Sequence, residues 1–230
     1  MKARSDKLRG IKPKKRTVTR RLPPEQRRAQ ILERAYNFFS EYGLTGQTRH
    51  LASACGVSQR LLYRYFPNKA ALVEAVYTDR FATTFDEAWL NELAVGGGTV
   101  RSRLIVFYQR YAEKVLTRRW LRLALYSALA DNPFAAPYTD SVMQRILDSV
   151  ASMSVHGMNL QRPHEGNALR DAAWMLHGAI VLGGIRHHVY GTSDAATWFR
   201  EIETSVDIFL AALPALLGQQ GDAAPSAEPG

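Results

Sequence analysis

The chain has 230 residues, 46% of them apolar, a single cysteine and a formal charge of +9. Such a length and apolar share suit a globular protein with a sizeable core and exclude a chain that is disordered throughout. One cysteine excludes an internal disulfide, and no apolar run reaches the length of a membrane span. The charge is unevenly placed. Residues 1–30 hold twelve basic side chains against Asp6 and Glu25, a net +10, so the remainder sums to −1. A basic arm on a near-neutral body points to a polyanionic partner at one end; the alternative is a solvated tail that aids solubility. The basic N-terminus has no apolar run behind it, so no secretory signal is expected and the expected compartment is the cytoplasm.

In chain order, residues 1–22 show no hydrophobic period and read as a disordered basic arm able to lie along phosphates or in a minor groove. Pro23-Pro24 opens a first helix whose apolar face carries Ile31, Leu32, Ala35, Phe38 and Phe39, and Gly43 ends it. Thr48–Ala54 predicts a short helix, Gly56 a left-handed turn, and Ser58 the N-cap of a second short helix, Gln59–Phe66. Pro67 stops that helix and Asn68 caps the next. The expected core of this small unit, residues 23–68, is Ile31, Ala35, Phe38, Leu51, Ala52, Val57, Leu62 and Phe66. A single long helix, 69–93, is expected to join it to a larger helical body, 69–217. Gly96-Gly97-Gly98 is a break, since no Lys-Ser/Thr pair follows it as a phosphate loop requires. Further helices are expected at 99–117, 118–130, 138–153, 167–190 and 193–217, with a turn at DNPFAAP, a surface loop at 161–166 and a disordered tail at 218–230. The fold class is therefore all-α, with about nine helices and no strand or internal repeat.

Two short helices around a glycine turn form a helix-turn-helix signature, and they also occur as plain corners of helical proteins. The side chains favour the first reading. Gln59 can pair bidentately with adenine, Arg60 with guanine, and Leu61 can touch a thymine methyl. Tyr63, Tyr65 and Lys69 suit phosphate contacts, which set register, Thr48 and Arg49 can reach the backbone or a base edge, and the capping Ser58 is a further DNA-binding candidate. Tyr63 and Tyr65 can equally be core aromatics. Cys55 reads as packing.

Residues 28–77 resemble the N-terminal domain of the tetracycline-repressor family. The matching stretches are ILERAYNFFSEYG, TRHLASACGVS and LLYRYFPNKAALVEAVY, with Tyr63, Tyr65, Phe66, Pro67 and Lys69 the most specific. Departures at Gln47-Thr48, Arg60 and Leu61 leave the operator sequence open. The resemblance covers about the first third of the chain. It implies a dimeric transcription factor, usually a repressor released from a palindromic operator by a small ligand. An activator or nucleoid-type factor without an effector is the alternative.

In the body, Phe107, Tyr108, Tyr111, Trp120, Tyr126, Met143, Trp174, Met175 and His177 can either line a cavity or fill a core. The resemblance implies a cavity there for a largely apolar or aromatic effector. It also implies a four-helix dimer interface from the last two helices, with Ile180, Gly184, Ile185, Trp198, Ile202, Val206 and Phe209 as candidates. Those residues can alternatively complete a monomeric core. No metal is expected, because His187 and His188 are adjacent rather than four apart and His177 has no completing ligand at helical spacing. No nucleophile elbow or acid pair suggests an enzyme, and no cofactor is implied. The expected partners are double-stranded DNA, a second copy of the chain and a small effector.

Overall fold

The computed structural model describes residues 22–130, 135–161 and 167–218, and within them all side chains except those of 81–84 and 135–140. The expected arm up to residue 21, the start of the DNPFAAP turn, most of the 161–166 loop, the tail beyond Gly218 and the Phe81 side chain lie outside the described residues. Among the described residues there are ten α-helices and no strand: α1 (Pro24–Tyr42), α2 (Thr48–Cys55), α3 (Gln59–Tyr65), α4 (Lys69–Thr84), α5 (Ala88–Val95), α6 (Val100–Lys114), α7 (Arg118–Leu129), α8 (Ala135–Gly157), α9 (Ala168–Ile185) and α10 (Ala195–Leu216).

Local chemistry sets the helix ends near the N-terminus. Gly56 takes φ 67°, ψ 32°, and its N–H and that of Val57 return to the Ser53 and Ala52 carbonyls, which closes α2. Arg34 of α1 donates to the Cys55 carbonyl at 3.1 Å, so the turn is also held from behind. A side chain at position 56 would meet that guanidinium as well as strain the backbone. Ser58 Oγ accepts from Leu61 N–H and Asn68 Oδ1 from Ala71 N–H, capping α3 and α4 as their sequences predict.

Two apolar clusters form. The first contains every expected core residue of the small unit except Val57, which is half-buried against it. It does not stop at Asn68: Leu72, Val73, Val76 and Tyr77 of α4 and Leu123 of α7 complete it. The expected helix 69–93 is divided. Phe85 is extended, Asp86 Oδ1 accepts from Ala88 N–H, and α5 begins anew. The break turns Phe85 onto Trp89 and Tyr111, at ring-centroid distances of 5.6 and 6.5 Å. An aromatic contact with the body thus accompanies a break confined to residues 85–87.

The second cluster joins α5, α6, α8, α9 and α10. In it Trp198 of α10 sits against Gly183 and Gly184 of α9, where an added Cβ would lie 2.5 and 2.9 Å from the indole. The indole Nε1 donates to the Ile180 carbonyl at 3.1 Å. The expected helix 167–190 ends in a π turn, Arg186–Tyr190, which brings His187 and His188 to a ring separation of 4.4 Å, both against Trp198. Among the described residues, no group of three His, Cys, Asp or Glu side chains gathers as a metal site would need. No helix among them is long and apolar enough to cross a membrane.

Helix α7 packs on α1 and joins the two clusters; Trp120 touches both. Arg122 donates from Nε to the Ser40 carbonyl at 2.6 Å and from Nη2 to the Glu41 carbonyl at 2.8 Å. These are last-turn carbonyls of α1, which the helix itself leaves unpaired. Arg119 bonds Glu33 and Asn37, Arg118 bonds Glu41, and Tyr77 donates to the Leu123 carbonyl at 3.1 Å. Hydrogen bonds to a charged group contribute about 1.5–3 kcal/mol when they are sheltered. Arg122→Met keeps the aliphatic packing and removes the donors. It should lower unfolding stability by about 2 kcal/mol in urea titrations, whereas Arg101→Met, at an exposed ion pair with Asp207, should leave the urea midpoint nearly unchanged.

Candidate nucleic-acid interface and a buried aromatic cluster

The outward side of α3 carries Gln59, Arg60, Tyr63 and Arg64, all exposed, with Tyr63 42% accessible. Arg60 and Arg64 are four residues apart and share a helix face. Arg64 was not among the expected contacts, although this spacing marks it. Arg49, His50 and Ser53 are exposed on α2. Between Glu41 and Glu74 the chain has no acidic residue. Of the α1 acids, Glu33 and Glu41 are engaged by arginines of α4 and α7, and Glu25 is exposed in the first turn. The positive potential of α2 and α3 is therefore unopposed locally, as a surface that meets phosphates requires.

The other expected contacts are placed differently. Leu62 is the buried residue of α3, while Leu61 is half-buried and Tyr65 packs against the first cluster. Ser58 spends its hydroxyl on the cap. Lys69 donates to the Gly46 carbonyl at 2.7 Å, tying α4 to the loop before α2, and burial lowers its pKa. Thr48 is half-buried at the first position of α2. Arg28 lies over the Phe66 ring at 5.3 Å, so one arginine of α1 is held beside the end of α3. Cys55 is fully buried, and desolvation pushes its thiol up to about 11, which suits packing rather than reactivity.

In the body, Phe107, Tyr108, Tyr111 and His177 come together, and Met143 belongs to the same large apolar cluster as Phe107, Tyr108 and Tyr111. Phe107 stacks on Tyr111 at 6.2 Å, and the His177 ring lies 5.3 Å from Tyr111 and 6.0 Å from Tyr108. Tyr108 and His177 are essentially inaccessible, and among the described residues the Tyr108 hydroxyl and both His177 ring nitrogens have no hydrogen-bond partner. Buried groups left so cost about 1–3 kcal/mol each. Burial raises the Tyr108 and Tyr111 pKa values and lowers that of His177 to about 4, so this imidazole is neutral at pH 7. Of the other expected lining residues, Trp174 meets His177 edge-on but is 42% exposed. Trp120 sits between the two clusters. Met175 is 77% exposed on the outer side of α9, and Tyr126 packs on Gly43 and Arg122 at the α1–α7 contact. These last two do not belong to the cluster.

The expected dimer residues are corrected more sharply. Ile180, Trp198, Ile202, Val206 and Phe209 are at most 5% exposed in the single chain, Gly184 is buried under Trp198, and Ile185 is half-buried. They hold α9 to α10 and are not free to meet a partner. Helical periodicity identified an apolar face but not its occupant. The outward residues are Met175, Gly178, Ala179 and Leu182 on α9, and Thr204, Ile208, Ala211 and Ala215 on α10.

An all-helical protein with a basic, acid-free helix-turn-helix and a separate helical body belongs to the class of DNA-binding transcriptional regulators. Residues 31–76 match the family of bacterial regulatory proteins named for tetR. Residues 31–76, which run from α1 into α4, therefore carry this family's domain. No curated protein matches the chain. Among solved structures it is similar to a TetR-like transcriptional regulator from Rhodococcus sp. RHA1, with TM-score 0.66 and 20% identity over 83% of this chain and 99% of that one. It is also similar to a tetR-family transcriptional regulator from Streptomyces coelicolor, with TM-score 0.59 and 18% identity over 86% and 84%.

The lowered His177 pKa has a consequence for stability. Between about 4 and 6.5 the unfolded chain binds a proton that the folded chain refuses. Stability should therefore be fully retained above pH 6.5 and fall as pH drops toward 4, by on the order of 3 kcal/mol. Thermal melts across that window should show the loss in the wild type and a flatter profile in His177→Leu, the difference isolating this group from carboxylates common to both.

Proposed function

We propose that this regulator is a repressor that binds a palindromic operator as a homodimer and leaves it when a small, largely apolar or aromatic ligand occupies the body. The observation that carries the DNA reading is the exposed Gln59-Arg60 pair at the start of α3, on a surface without acids. Gln59 and Arg60 read base edges in the major groove, and Arg64, Tyr63 and Arg49 contact phosphates. Residues 22–68 together with α4 form the DNA-binding unit, and the rest forms the effector and dimer unit. The outward faces of α9 and α10 pair with their copies around a two-fold axis. Two half-sites then double the few contacts one short helix can make. A second reading, a DNA-binding factor without an effector, is favoured by one observation: Tyr108 and His177 are closed off from solvent.

For readout, Gln59→Ala and Arg60→Ala should each lose about 1–3 kcal/mol of preference at one or two operator positions. Arg64→Ala should weaken operator and random duplexes equally. Competition binding with single-base operator variants distinguishes these results, and identical effects of all three substitutions would refute the division.

The dimer has its own test. Leu182→Glu or Ile208→Glu should give folded monomers by light scattering and circular dichroism, with weakened operator binding. Ile202→Glu, at a buried position, should unfold the chain instead. A wild type that is monomeric at micromolar concentration would overturn the dimer.

A further inference from the structure

Buried polar groups in folded proteins almost always have partners, and a charged neighbour or a backbone group usually supplies them. Among the described residues His177 and Tyr108 have neither, although they lie on different helices with their rings 6.0 Å apart. The cause of the His177 shift is burial alone, with no acid or base contributing. Around the pair the lining is aromatic: Tyr111 meets His177, and Phe107 meets both Tyr108 and Tyr111. Phe107 also lines a groove of about 370 Å³ between α5 and α6, beside Trp89 and Arg110. One ring is thus shared by a solvent-facing groove and the cluster that holds the unmade bonds.

We propose that His177 and Tyr108 are the polar anchors of a binding site for an uncharged aromatic molecule bearing a hydroxyl group, entered from the α5–α6 groove past Phe107. This rests on the effector reading for its biological meaning but not for the site itself. A hydroxyl both donates and accepts. It can give its proton to the unprotonated His177 nitrogen and accept from the Tyr108 hydroxyl. The ring then stacks among Phe107 and Tyr111. A carboxylate is disfavoured, because it would be buried beside a neutral imidazole with no counter-charge. A plain hydrocarbon is disfavoured too, because it leaves all three protein atoms unpaired.

The test is calorimetric titration of the full chain with phenol, toluene and benzoate. Phenol should bind at least about tenfold more tightly than toluene, and benzoate more weakly than phenol. Tyr108→Phe and His177→Leu should each erase most of the preference for phenol over toluene. Both variants remove an unpartnered polar atom, so they should fold and melt no lower than the wild type at pH 7, which circular dichroism checks. Absence of phenol binding, an equal affinity for toluene, a preference untouched by both variants, or tighter binding of benzoate would each overturn the proposal. A parallel measurement adds saturating phenol to the protein bound to DNA from the region flanking its own gene. If phenol binds with the stated preference but DNA affinity does not change, the site stands and the effector reading fails.

Discussion

The contact on which the rest depends is the seam between α1 and α7. An eight-residue α2 and a seven-residue α3 cannot hold themselves in a fixed attitude, because helices this short are marginal without tertiary packing. They borrow rigidity from α1, and α1 is anchored in turn by α7. Arg122 closes the last turn of α1, Arg118 and Arg119 take its acids, and Leu123 is a core residue of the small unit supplied from the body. Tyr36 lies between the guanidinium groups of Arg80 and Arg119, with each 5.1 Å from its ring, so α4 enters the same network. The path from α7 to α3 runs through packed helices, α7 on α1, α1 on α2 and α2 on α3.

The same seam sorts the charge. Glu33 and Glu41 of α1 face arginines of α4 and α7 and are neutralised there. The opposite side of the small unit keeps Arg49, Arg60 and Arg64 without an acid between them. A near-neutral body and a locally basic tip follow from this arrangement, whatever residues 1–21 add. Screening by salt acts on the tip more than on the seam, because the tip is fully exposed and Arg122 is not.

The body is built on a different economy. Trp198 seated on Gly183 and Gly184, with its N–H on the Ile180 carbonyl, is a fully satisfied contact. Tyr108 and His177 are the opposite: wholly desolvated and, among the described residues, unpaired inside an otherwise apolar cluster. A core selected only for stability would carry phenylalanine and leucine at such positions, since apolar replacements of similar shape remove the unmet demand. Function commonly resides where such a local rule is broken.

Much of this protein could be read from its sequence because the relevant signals are local. Gly56, Ser58, Pro67 and Asn68 mark the ends of α2, α3 and α4 through backbone preferences that act within a few residues, and the period of Ile31, Leu32, Ala35 and Phe38 marks the buried face of α1. The family resemblance of residues 28–77 belongs with these short-range patterns. What the tertiary structure alone decided concerns which surface each apolar face meets. The periodicity of α9 and α10 is equally consistent with a partner chain or a neighbouring helix, and only packing shows that Ile202 and Phe209 are inward while Leu182 and Ile208 are outward. The division of the helix after Thr84, the placing of Tyr126 at the seam rather than in the body, and the meeting of His177 with Tyr108 depend on contacts between residues far apart in the chain. Side-chain spacing along one helix fixes direction around that helix, and it carries no information about what stands opposite.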